Sequence, residues 1–233
     1  MKFGSKTGGL GDILLLTSVC KYFPNRFTIQ LPKEKERFKI LFTGLAQVEI
    51  CEESEIQSLP DLGTGHYATR KLRNFFGDAA DGMNNRPLVL HSNPDDEKWA
   101  YEFLKKTGPA AVFVPTCSKE WAAVRNLPKK AIDFSIDQIK STGSTPIVCQ
   151  SSSNRIETSE IELVDLDLSK YISLLRQTGG YCGANTGDEH LAAAVGCMTY
   201  VFQPRDGKGF FASEWNYDHP CSAYYIWDDN ITS

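Results

Sequence analysis

GANTGDEHLAAAVG, residues 183–196, decides how the chain is read. Asn, Thr, Gly, two acids and a His stand directly before the small apolar run Leu191–Val195. That order marks the start of a helix, with Asn185 or Thr186 as its cap. The first backbone N–H groups of a helix lack partners within it, so the same place can also hold an anion. GYCGA (180–184) ahead of it reads as a short strand. A strand running into a helix start is where α/β sheets put their ligands.

Working outward, the same alternation fills the chain. Helices are predicted over 11–23, 33–44, 66–77, 95–108, 129–141, 169–179 and 187–195. Strands are predicted over 26–31, 47–51, 87–91, 110–115, 146–150, 161–166, 180–184, 198–203 and 223–227. This order implies an α/β protein with a mostly parallel sheet covered on both faces. Thr107-Gly108-Pro109 divides it into two α/β halves, 1–107 and 108–233.

Composition narrows the function. A hydrophobic share of 41% supports a packed core, and a net charge of −4 gives no general affinity for polyanions. No apolar run approaches the ~20 residues of a membrane helix, and the N-terminus has no signal-peptide pattern. Seven cysteines with no Cys-x-x-Cys pair fit a reduced, cytoplasmic setting. The four histidines, at 66, 91, 190 and 219, show no metal-ligand spacing, so neither metal nor cofactor is expected.

Two further stretches carry chemistry. TGGLGDILL (7–15) bends at Gly8, Gly9 and Gly11 and puts Asp12 at a helix start. Asp12 is either a favourable partner of the helix dipole or a general base at a cleft edge. The glycines match neither the P-loop nor the full dinucleotide fingerprint. TRKLRNFF (69–76) sets Arg70, Lys71 and Arg73 beside two aromatics. It is either a solvated helix with a Phe core face or a contact for acceptor phosphates, lipid-linked or nucleic acid. In the opening motif, Gly187 removes bulk and Thr186 offers a hydroxyl, which suits a diphosphate. His190, one turn in, is structural or donates to a phosphate.

GANTGDEHLAAAVGCMTYVFQP (183–204) resembles a signature of the bacterial heptosyltransferase family of glycosyltransferases. That signature runs Gly-x-Asp-Thr/Ser-Gly-x-x-His-Leu-Ala-Ala-Ala-x-Gly, then a strand. DLDLSKYISLLRQTGG (165–180) is similar to the helix before it, and GGLGDILLLTSVCKYFPN (8–25) to the family's N-terminal helix. FVPTCSKEWAAVRNLPKKAIDFSIDQIKSTGSTPIVCQ (113–150) is a looser match to the opening of its donor domain. The resemblance implies a GT-B fold, two Rossmann-like α/β domains facing across a cleft. Residues 1–107 would hold the acceptor and 108–233 the nucleotide sugar.

The implied reaction is metal-independent transfer of a hexosyl, heptosyl or pentosyl group from a nucleotide diphospho-sugar to an acceptor hydroxyl. A saccharide or lipid-linked saccharide acceptor is favoured. Asp12 matches the family's general base, and Arg125 falls where the family has a phosphate-binding Lys. Gly9, Gly11, Asn185, Thr186, Gly187 and His190 complete the implied donor site, with Arg70, Lys71 and Arg73 toward the acceptor. Asn185 stands where the family usually has Asp. QSSSN (150–154) occupies the area of the family's ribose-binding acid, and the chain is about a hundred residues shorter than usual members. Two alternatives stay open: a phage-type enzyme glycosylating a modified DNA base, which would be flipped out of the duplex, and a non-catalytic nucleotide-sugar binder.

Overall fold

A computed structural model describes residues 1–5, 9–64, 66–118, 122–204 and 222–227. Its strands form two sheets. β1 (Lys2–Gly4), β2 (Thr28–Pro32) and β3 (Gln47–Cys51) make a parallel sheet in the order 1-2-3. β4 (Ala110–Val114), β5 (Thr145–Gln150), β6 (Ile161–Val164), β7 (Gly180–Ala184), β8 (Thr199–Pro204) and β9 (Ser222–Trp227) make a second, all-parallel sheet. Its order is 6-5-4-7-8-9.

The helices follow their local signals. α1 (Leu10–Cys20) begins after Gly9, whose N–H donates to Asp12 Oδ2 at 2.9 Å. Residues 13–20 of α1 are all buried, so this helix is core on nearly every face. α2 spans Tyr67–Phe76 and turns Phe75 into a cluster with Phe3, Phe23 and Phe27. α3 (Pro94–Thr107) has Asn93 as its cap, acids in its first turn and lysines in its last, matching the helix dipole. α4 (Ala122–Arg125) is a single turn; α5 (Lys129–Ser141) and α6 (Leu168–Gln177) cover the second sheet. α7 (Gly187–Ala194) is the helix of the opening motif.

One apolar core runs through both sheets. It joins Phe3, Ile29 and Leu31 to Val112, Ile147, Leu174 and Leu191. A second cluster, around Phe113, Val148 and Phe202, fills the other face of the larger sheet.

Two sequence expectations need correction. Residues 33–44 form a 3-10 helix over Lys33–Phe42 rather than an α-helix. Residues 87–91 form no strand. They run extended between helices instead, and helices take up their backbone groups. Leu88 N–H donates to Thr17 Oγ1 of α1 at 3.0 Å, and Arg86 C=O accepts from Lys21 Nζ at 2.7 Å. Val89 N–H donates to Ala194 C=O, and Arg86 Nη2 to Ala193 C=O at 2.7 Å, at the carboxyl end of α7. Val89 C=O accepts from Arg176 of α6 at 2.8 Å. The segment straps three helices together, and Arg86 puts a cation at the negative pole of α7.

Candidate active site

The order of the larger sheet fixes where a crevice opens. The chain lays down β4, moves outward through β5 and β6, then returns to place β7 on the other side of β4. Connections leave the carboxyl ends of β4 and β7 in opposite directions, which creates the crevice that binds ligands in open α/β sheets. Asn185, Thr186 and α7 follow β7; Thr116, Cys117 and α4 with Arg125 follow β4.

Thr186 is the cap of α7. Its Oγ1 accepts from Asp188 N–H at 3.2 Å and lies 3.0 Å from Asp188 Oδ2, to which it donates. Burial raises the Asp188 pKa, against the hydrogen bond from Thr186. Asn185 is 6% exposed, and among the described residues its Nδ2 has no hydrogen-bond partner.

The glycines expected to admit a ligand are in contact with each other's helices. A Cβ on Gly187 would lie 2.8 Å from Gly11 N and 2.9 Å from Leu10 Cβ. A Cβ on Gly11 would lie 2.6 Å from His190 Cδ2. Each glycine lets the start of one helix sit against the start of the other. Gly9 has open space where its Cβ would be. Gly8 lies outside the described residues.

This packing brings two positive helix poles to one point and gathers charged groups around it. Burial raises the Asp12 pKa; the Gly9 and Asp12 backbone N–H groups, then Lys35 and Arg125, pull it back down. Burial lowers the Arg125 pKa, while Cys117, Asp12 and Glu189 raise it. His190 is buried; desolvation, then His66 and Arg125 nearby, push its pKa down to about 3. Its imidazole is neutral at physiological pH. Asp12, Arg125, Gly187 and His190 therefore lie in one neighbourhood, with Asn185 and Thr186 directly before α7.

Three of its members were not foreseen. Glu189 is fully buried on the first turn of α7 and acts electrostatically on Arg125. Lys35, from the 3-10 helix, faces Asp12. Tyr67, the first residue of α2, feels Asp61 and Asp12, and its pKa rises to about 12, chiefly through burial. Only the acid at 189 had a local signal, its place in the first turn of a helix.

The basic face of α2 is engaged by the chain itself. Lys71 is buried; its Nζ donates to Leu59 C=O and pairs with Asp61 at 3.1 Å. Arg73 binds Asp81 Oδ1 through Nε at 3.0 Å, and Leu62 C=O at 2.7 Å. Arg70 lies 5.2 Å over the Tyr67 ring. The three do not present a stripe of cations to solvent.

No family model matches the chain, and no curated protein does. Solved structures do match. The glycosyl transferase family 9 protein of Veillonella parvula is 10% identical, with a TM-score of 0.72 over 99% of this chain and 87% of that one. The E. coli ADP-heptose LPS heptosyltransferase II is 10% identical, with a TM-score of 0.70 over 96% and 89%. TibC, a dodecameric iron-containing glycosyltransferase of enterotoxigenic E. coli, is 15% identical, with a TM-score of 0.63 over 97% and 62%. The chain has the GT-B glycosyltransferase fold. The three-stranded sheet is built from strands within residues 2–51 and the six-stranded sheet from strands within 110–227. The crevice beyond β4 and β7 faces Asp12 across the α1–α7 contact. Among the described residues no helix is long and apolar enough to cross a membrane.

Proposed function

We propose that the chain is a glycosyltransferase that moves a sugar from a nucleotide diphospho-sugar to a saccharide hydroxyl. One observation carries this reading. Asp12, with a raised pKa, meets Arg125 and the amino end of α7 at the sheet's switch point. A carboxylate of raised pKa is a stronger base than an ordinary one, and a cation beside the amino end of a helix suits a leaving diphosphate.

The roles follow. Asp12 takes the proton of the acceptor hydroxyl as its oxygen bonds to the anomeric carbon. The bond from that carbon to the diphosphate breaks, and its electron pair leaves with the nucleoside diphosphate. Arg125 and the first N–H groups of α7 receive that charge. Asn185 donates to the donor, and neutral His190 holds α1 in place while offering at most an N–H. The positive field comes from the protein, so the reaction as written uses no metal or cofactor. A DNA acceptor is disfavoured, because Asp61 and Asp81 already neutralise Lys71 and Arg73.

The test pairs two variants. Asp12→Asn is expected to keep nucleoside diphosphate affinity and lose turnover by roughly a hundredfold or more. Arg125→Ala is expected to weaken that affinity by about 1.5–3 kcal/mol in calorimetry. Normal turnover in Asp12→Asn refutes the base. Binding without turnover against any saccharide, in the unmodified chain, makes it a nucleotide-sugar binder instead.

A further inference from the structure

Arg125 stands on a slight support. α4 is one turn of four residues, closed by Asn126 N–H donating to Ala122 C=O at 3.1 Å. Fixing a turn of backbone for a single hydrogen bond of the helical kind is an unfavourable exchange. A half-buried cation on an isolated turn therefore needs bracing from outside to keep its place at the crevice.

The next residue supplies the brace. Asn126 Oδ1 accepts from Cys117 N–H at 3.0 Å and from Asn154 Nδ2 at 3.0 Å. Asn126 Nδ2 donates in return to Asn154 Oδ1 at 3.2 Å. The two amides form a reciprocal pair, each donating to and accepting from the other. An amide side chain can do this because it carries a donor and an acceptor side by side. Asn154 Nδ2 also donates to Cys117 C=O at 2.7 Å, so the pair takes both backbone groups of Cys117 on the loop after β4. Leu127 N–H donates to Pro115 C=O at 2.9 Å and ties the chain beyond α4 to the end of β4.

Asn154 comes from the other side of the crevice, the loop after β5, and is itself held. Its N–H donates to Ser151 C=O at 3.2 Å, and its C=O accepts from Thr116 Oγ1 at 3.0 Å. Gln150, the last residue of β5, grips Ile156 with both ends of its amide: Nε2 donates to Ile156 C=O and Oε1 accepts from Ile156 N–H, each at 3.0 Å. The loop is thus pinned on both sides of Asn154. Two strand ends, β4 and β5, are locked together at the residue that follows Arg125.

We propose that the Asn126–Asn154 amide pair is a positioning device, which fixes the turn of α4 so that Arg125 meets the donor's diphosphate, while neither amide touches the donor. Asn126 and Asn154 are positioning residues in this scheme, and their whole effect on the ligand passes through the guanidinium. The proposal rests on the donor reading above.

Calorimetry on the full chain with ADP, UDP and GDP tests it as a double-mutant cycle. Asn154→Ala is expected to weaken the preferred diphosphate about tenfold in the parent. In the Arg125→Ala chain the same change is expected to cost under about twofold, because no guanidinium is left to misplace. Asn126→Ala is expected to match Asn154→Ala, and the two together to lose no more than either, since either deletion opens the pair. Thr116→Val keeps the side-chain shape and removes one bond to the same loop. Its expected loss is about threefold, with the same dependence on Arg125, and it carries the test if an alanine variant does not fold. A merely structural pair would weaken binding alike with and without Arg125. Equal losses in the two backgrounds, or no loss in any of the variants, overturn the positioning role and leave the donor reading standing. If the unmodified chain binds none of the three diphosphates, the donor reading falls and takes the amide pair's role with it.

Discussion

Replacing Gly187 by Ala puts one methyl group where α1 and α7 touch. The new Cβ would stand 2.8 Å from Gly11 N and 2.9 Å from Leu10 Cβ. Ordinary contact needs about 3.5 Å, so the helices must part by roughly 0.7 Å. Both obstacles are close to the backbone, and no flexible side chain can swing away. Overpacking of this kind costs about 1–3 kcal/mol. The helix propensity that favours Ala over Gly by about 1 kcal/mol in a helix interior counts for little at Gly187, the first residue of α7, so the net loss stays at about 1–3 kcal/mol. For a chain this size that lowers the thermal midpoint by roughly 2–12 °C. Gly11→Ala, whose Cβ would meet His190 Cδ2 at 2.6 Å, strains the same joint. The double variant should lose less than the sum of the two, because the first parting makes room for the second methyl. Gly82→Ala is the control, with nothing within 4 Å. Calorimetric melting of all four chains, with nucleoside diphosphate titrations alongside, checks the scheme. A Gly187→Ala midpoint equal to that of Gly82→Ala, together with additive losses, would refute the interlock.

Two other expectations concern neighbours of the joint. His190 has a pKa of about 3 folded against 6.5 for the free group, so the stability of its neutral form is full above 6.5 and is lost as pH falls toward 3. His190→Gln lacks that proton, so the gap in unfolding free energy between it and the parent should shrink from pH 7 to pH 4.5; parallel profiles would count against a buried neutral imidazole. Lys71→Met leaves Leu59 C=O and Asp61 without their cation, and should destabilise the chain by about 1–3 kcal/mol in urea unfolding. DNA retention on a low-salt column that is present in the parent and disappears in Lys71→Met would show that the basic residues of α2 serve nucleic acid after all.

The helix start at Thr186 was legible because a cap and its helix are neighbours in sequence, and every signal is local. The strand and helix alternation was legible for the same reason, from periodicity. Gly11 and Gly187 were visible as sites of close approach, but a missing side chain does not say what approaches. Here it is another helix, from the opposite end of the chain. The charge pattern of α2 showed three cations and hid their partners, since Asp61 and Asp81 lie in the segments on either side. PLVLH has the apolar run of a strand, yet a strand also needs a neighbour to pair with, and no local pattern reveals that the neighbours are helices. Lys35 and Tyr67 lie in stretches with no motif, and only the fold carries them to Asp12.

The strap at 84–91 bears on how such a molecule could be recombined. A chimera that joins this N-terminal half to another C-terminal half has no clean seam. Wherever the crossover is cut, the strap goes with one parent and must still find its partners in the other. It needs Thr17 and Lys21 on one side, and Arg176 with the Ala193 and Ala194 carbonyls on the other. N-terminal halves are exchangeable only as far as those five positions agree, so this short run of chain sets which hybrids can fold.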